Sequence, residues 1–104
     1  YKETVFSLTY ASTLTPDVAN GNVQSVTLTG NVTINGFANA EAGQSMTVIL
    51  KQDATGSRTL STTMKMAGGE ATLTTDANAV DILGIFYDGT DYYASLSTAF
   101  ATPS

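Results

Sequence analysis

Few residues in this 104-residue chain have side chains suited to chemistry: nine acids, four cations and five tyrosines, with neither histidine nor cysteine. Without an imidazole or a thiol, Ser-His and Cys-His nucleophilic catalysis is excluded, and so are disulfides and thiolate metal sites. What remains is a carboxylate pair of the glycoside-hydrolysing kind, which needs two acids facing each other across a cleft at a set separation. Asp88 and Asp91 are the nearest candidates, yet they flank a turn, Asp88-Gly89-Thr90-Asp91, where Asp is favoured for bonding its own backbone. The turn reading is the stronger, so no catalytic residue is assigned and the chain is expected not to be an enzyme. The same two acids, or Asp76 with Asp81, could contribute to a Ca²⁺ site. Such an ion takes six or more oxygen ligands, and there is no dense Asp/Asn loop to supply them. Neither metal nor cofactor is expected.

Tyr87, Tyr92 and Tyr93 cluster near the end of the chain, where aromatic rings could stack on sugars or anchor a protein partner. Tyr92 and Tyr93 are adjacent, so on a strand they point to opposite faces, one toward the core and one toward a contact. Gly68-Gly69 and Asp53-Ala54-Thr55-Gly56 read as turns, because neither sits between a parallel strand and a helix N-terminus as phosphate-binding glycines do. Met64 and Met66, two apart, share one strand face and suit packing. Lys2, Lys51, Arg58 and Lys65 are scattered and the net charge is −5, which argues against a nucleic-acid partner. The longest apolar run, Ile82 to Tyr87, is far short of a bilayer span, and the start lacks a basic-then-apolar signal pattern, so no membrane partner is expected. The chain opens on Tyr1 rather than Met, which suggests a start lost by processing, trimming or excision from something longer.

The elements that must position these residues read as strands. Alternation of period two runs through most of the chain and helical spacing is sustained nowhere. Phe6, Leu8 and Tyr10 alternate in a first strand, and Leu14 to Asn22 carries Thr-Pro-Asp and Asn-Gly, a loop. Gln24 to Thr29 and Val32 to Phe37 follow as two strands, with Gly30-Asn31 between them as a hairpin turn. Ser45 to Lys51 places Met46, Val48 and Leu50 on one face and leaves Ile49 on the other. Arg58 to Thr63 is a weaker strand, Gly68-Gly69 breaks the chain before Ala71 to Thr74, and Thr75 to Ala79 is the only place where a short helical turn could sit. Ile82 to Tyr87, apolar on both faces, is the first choice for the core, and Tyr92 to Ser97 completes a last hairpin. The expected fold is therefore all-β, one domain over residues 1–104, an antiparallel β-sandwich of jelly-roll type with about eight short strands. Residues 1–14 would form an N-terminal strand or arm and 98–104, with Phe100, an extended C-terminal tail. No internal repeat is evident, since the similar Val-Thr-Leu-Thr and Val-Thr-Ile runs fit a hairpin. Thr makes up 18 of the 104 residues while only 12% are charged, a surface that suits exposed strand faces and fits an extracellular or virion coat better than a cytoplasmic enzyme.

The run Val26-Thr27-Leu28-Thr29-Gly30-Asn31-Val32-Thr33-Ile34 is followed by Ala42-Gly43-Gln44-Ser45 and by Val48 to Thr59, which contains Leu-Lys-Gln-Asp-Ala-Thr-Gly-Ser-Arg-Thr. Gly68-Gly69, Leu73-Thr74, Val80-Asp81-Ile82-Leu83 and Tyr87-Asp88-Gly89-Thr90 then come in order. This pattern resembles a module of tailed-bacteriophage virion proteins, found in tail fibres and in short free-standing phage proteins. The resemblance covers almost the whole chain. One departure is Lys65-Met66-Ala67, where such modules carry an aromatic and a proline before the double Gly. The resemblance implies a non-catalytic jelly-roll-like sandwich on the virion surface, commonly a homotrimer, with other virion proteins as partners. Ile49, Tyr92, Tyr93 and Phe100 are the candidate subunit or partner contacts. A capsid decoration protein that stabilises the shell is the leading expectation, because the chain is one module long with no coiled coil or shaft repeat. The alternative is a module of a tail fibre or receptor-binding protein that contacts a host glycan or surface protein. A bacterial carbohydrate-binding module, a third class, would need a row of exposed aromatics on one sheet face.

Overall fold

The computed structural model describes residues 3–103; Tyr1 and Lys2 of the expected arm and Ser104 of the expected tail lie outside them. Alternation becomes strand wherever one face can be buried. In chain order the strands are β1 (Phe6–Ser7), β2 (Thr13–Leu14), β3 (Val23–Leu28), β4 (Val32–Ile34) and β5 (Gln44–Gln52), then β6 (Leu60–Ser61), β7 (Lys65–Met66), β8 (Val80–Tyr87) and β9 (Tyr92–Ser97). Val26 and Leu28 of β3, Met46, Val48 and Leu50 of β5, and Leu83 and Ile85 of β8 are buried, each two residues from the next along its strand. Leu14, Val32, Ile34 and Leu60 join them from the other sheet, so both sheets share one core.

The all-β class holds, but the jelly-roll sandwich does not. The strands form a six-stranded sheet of order β1-β3-β5-β8-β9-β7 and a three-stranded sheet of order β2-β4-β6. Pairings β1 to β3, β3 to β5, β2 to β4 and β4 to β6 are all parallel. The chain therefore winds as a coil: each of three turns lays one strand in the long sheet and the next in the short sheet, a β-solenoid-like arrangement. The expected hairpin at Gly30-Asn31 is a corner between sheets. Its β3 and β4 lie side by side with earlier and later turns of the coil, and never with each other. Tyr10 of the first turn packs against this corner: its hydroxyl donates to Asn31 O at 2.6 Å, and a Cβ on Gly30 would run into its ring. A repeat is thus present in space although none stands out in the sequence. Phe6 pairs with Gln24 but Val23 with Thr47, so successive turns of the coil differ in length.

Side-chain amides hold the corners. Gln24 and Gln52 point inward from β3 and β5 and are only 2% and 4% exposed. Gln52 donates to Arg58 O and Thr74 O and accepts from the Arg58 N–H, while Gln24 donates to Asp17 O and Gly21 O. Asn31 and Asn35 of the second turn accept from the Thr59 and Thr63 N–H groups of the third. These bonds satisfy backbone groups that a chain leaving its sheet at a corner would otherwise strand.

The run most specific to the resemblance, Leu50 to Thr59, contains a corner of this kind over Asp53 to Arg58. Asp53 accepts from the Thr55 and Gly56 N–H groups and pairs with Arg58 at 2.9 Å. Gly56 has φ +73°, and a Cβ there would sit 2.6 Å from Thr75 O, so this corner requires glycine.

The last hairpin forms as expected. Strand β8 pairs antiparallel with β5 and with β9, ending the parallel stack. Ala71 to Thr74, after the Gly68-Gly69 break, forms no strand; the segment is irregular, anchored by buried Leu73 and by Thr74, whose N–H and hydroxyl both donate to Asp81. The first residues after β9 stay on the domain. Ala99 N–H donates to the same Asp81 carboxylate, and Phe100 N–H donates to Val80 O.

Candidate functional site

The register of β5, β8, β9 and β7 decides which side chains meet on the outer face of the long sheet. Phe86 lies opposite both Ser45 and Tyr93, and Tyr93 opposite Lys65, so these four form one row across four strands. The next row holds Thr47, Gly84 and Ser95, and the one after it Ile49, Ile82 and Ser97. Phe86 and Tyr93 are 43% and 45% exposed, whereas Ile49 and Ile82 are half-buried. Two aromatic rings on neighbouring strands are held within reach of each other by cross-strand pairing.

Gly84 shapes the surface between the rows. The only atom near the place its Cβ would occupy is Ser95 Oγ, at 3.9 Å, so the strand is left bare beside the two rings. The result is a groove of about 480 Å³ lined by Lys65, Met66, Ala67, Gly84, Phe86, Tyr93 and Ser95, among others. Lys65-Met66-Ala67, the departure from the modules this chain resembles, forms one wall. Lys65 Nζ lies 5.9 Å from the Tyr93 ring centroid and 3.3 Å from Asp91 Oδ2. On the far side of Lys65 a second recess of about 270 Å³ is polar, bordered by Asn35, Thr63, Thr90, Asp91 and Tyr92.

The turn that supports this site uses the acids as turn residues. Asp88 Oδ1 accepts from the Thr90 N–H at 2.8 Å and the Asp91 N–H at 2.7 Å, and those bonds hold its carboxyl below the usual carboxylate range. Asp91 faces Lys65, so the pair is not arranged as two acids across a cleft. Asp76 and Asp81 do not converge either: Asp81 is 2% exposed and spends its oxygens on Thr74 and Ala99. Among the described residues no group of three or more acids gathers as a metal site would require.

Of the residues singled out in the sequence, Tyr93 lies on the groove and Ile49 on the same face. Tyr92 points the other way. Its ring stacks on Tyr87 at 4.4 Å and tilts against Phe37 at 6.0 Å, while its hydroxyl accepts from Phe37 N–H at 3.1 Å and donates to Phe37 O at 3.2 Å. Tyr92 is a brace between hairpin and coil, with only its border on the polar recess left to a ligand. Phe100, 50% exposed, belongs to a separate recess beside Asp76 to Ala79. Phe86 was not singled out, and Lys65 only as part of the departure Lys65-Met66-Ala67, because that both neighbour Tyr93 depends on register.

No curated protein and no solved structure matches the chain. A family model described as "Putative phage tail fibre C-terminal domain" matches residues 14–92, which takes in the second and third turns of the coil, β8, and both Phe86 and Lys65. By that match the chain belongs to this family of phage tail fibre C-terminal domains.

Proposed function

We propose that this chain is a non-enzymatic structural module of a phage tail fibre or receptor-binding protein, and that it contacts a glycan or protein of the host surface. The family match over residues 14–92 carries the reading. Capsid decoration, which chain length had favoured, finds no support in a match to a tail fibre domain, and the fibre replaces it. Exposed Phe86 and Tyr93 support a contact role, since large solvent-facing aromatics on a rigid sheet suit recognition. The engagement of Asp88 and Asp91 within their own turn and ion pair supports a role without catalysis.

Assembly as a homotrimer beside other virion proteins is part of the proposal. Half-buried Ile49 and Ile82 and exposed Phe100 offer apolar surface that neighbouring copies would cover. The test is electron microscopy of whole particles labelled with gold-conjugated antibody to this chain. Label on the tail fibres is expected, and label spread over the head would overturn the assignment.

A further inference from the structure

We infer that the groove between Phe86 and Tyr93, together with the polar recess beyond Lys65, binds a neutral sugar ring; this rests on the receptor-contact reading and names its ligand class. The two recesses meet at Lys65, so a ligand lying across them meets apolar ring faces on one side and hydrogen-bonding side chains on the other. A pyranose has that same division, C–H groups over its faces and hydroxyls around its edge. Tyr93 and Phe86 present the aromatic surface, and the absent Cβ of Gly84 lets a flat ligand settle toward the strand. Lys65, Asn35 and Ser95 can donate to hydroxyl oxygens, and Asp91 and Thr90 can accept from hydroxyl hydrogens.

The surroundings favour a sugar over a protein surface. Ser45, Thr47 and Ser95 border the two rings on the outer face, and their hydroxyls would lose water without partners beneath an apolar protein patch. Strand addition is disfavoured because β7 is two residues long and leads straight into a tight turn in which Gly68 and Gly69 have φ +64° and +70°. The charges favour a neutral ligand. The Lys65 ammonium already faces Asp91, Asp88 lies in the same turn, and the chain carries a net −5, so an acidic sugar would meet negative charge with no unpaired cation beside it among the described residues.

The experiment is a titration of the ¹⁵N-labelled chain, observed by NMR, with methyl glucoside, galactose, N-acetylglucosamine and rhamnose, and with galacturonate and N-acetylneuraminate as acidic comparators. Saturable shifts at Lys65, Phe86, Tyr93 and Ser95 are expected with neutral sugars, weakened at least about tenfold in Tyr93→Ala and weaker for both acids. Tyr93 is exposed, so the variant should keep the wild-type spectrum elsewhere. No saturable shift with any neutral sugar, equal binding by Tyr93→Ala, or equal binding of the acids would each overturn the inference. So would shifts at these residues that follow protein concentration without sugar, accompanied by a multimeric mass lost in Tyr93→Ala, since a second copy would then cover the groove. Gold label on the fibres with a failed titration removes only the sugar; label on the head removes the fibre reading whatever the titration gives.

Discussion

Asp81 shows how one residue can look like a ligand in the sequence and serve as a fastener in the fold. It is buried and accepts from the Thr74 N–H at 2.7 Å, the Thr74 hydroxyl at 2.9 Å and the Ala99 N–H at 2.8 Å. It ties the segment before β8 and the segment after β9 to the same strand. Asp81→Ala leaves those donors without an acceptor and is expected to cost about 2–4 kcal/mol, read as a lower urea midpoint at unchanged slope. Asp53 works at the surface in the same manner: its bond to Arg58 first, then the Gly56 and Thr55 N–H groups, hold its carboxyl below its ordinary value. The Asn39 side chain does the same for Asp17 and the Thr72 side chain for Glu70. A carboxyl depressed in the folded state stabilises it fully above the unfolded value, about 4. That contribution fades as pH falls through the folded values. The melting temperature is thus expected to be level from about pH 5 upward and to decline below about pH 4, with a shallower decline in Asp53→Asn. Thermal melts followed by circular dichroism across that range check both.

Among the elements, the corners of the coil carry the specificity and the strands carry the burial. Gly36 lies where a Cβ would come within 2.8 Å of the Tyr92 ring, the brace between the coil and the last hairpin. Gly36→Ala must push that ring off Phe37, with an expected loss of about 1–3 kcal/mol in denaturant unfolding. Gly56→Ala combines positive φ with backbone overlap at Thr75 O and should cost more than Gly36→Ala in the same measurement. Thr and Ser on outward positions were legible as an exposed face, and Met46, Val48 and Leu50 as its buried opposite, because alternation reports burial directly. Asn31 was legible only as a turn residue and Asn35 only as part of a strand. Their bonds to Thr59 and Thr63 cross from one turn of the coil to the next, and no local pattern announces a partner so distant in the chain.

For the whole molecule, stability should grade from the middle of the long sheet outward. Strands β3, β5 and β8 are flanked on both sides, whereas β1 and β7 are two-residue edges. Amide hydrogen exchange is expected to be slowest in β3, β5 and β8 and fastest at β1 and β7. Uniform protection across the sheet would contradict that ordering. If the chain forms the proposed homotrimer, sedimentation equilibrium should return three times 10.8 kDa, and Ile49→Lys should shift the mass toward one copy.

Most of the strands, the inward set of side chains, the last hairpin and the turn role of Asp88 follow from the sequence by itself, because they depend on neighbours two to four residues apart. Whether strands pair in parallel, and with which partner, was decided only in three dimensions. A strand with one buried face shows the same alternation whichever way its neighbour runs, and coil turns of unequal length conceal the repeat that would have betrayed the winding. The candidate site shares that origin. Tyr93 was visible as one of two adjacent tyrosines with opposite fates, but its alignment with Phe86 and Lys65 is a matter of register across three strands, and register is set by the packing of the whole sheet.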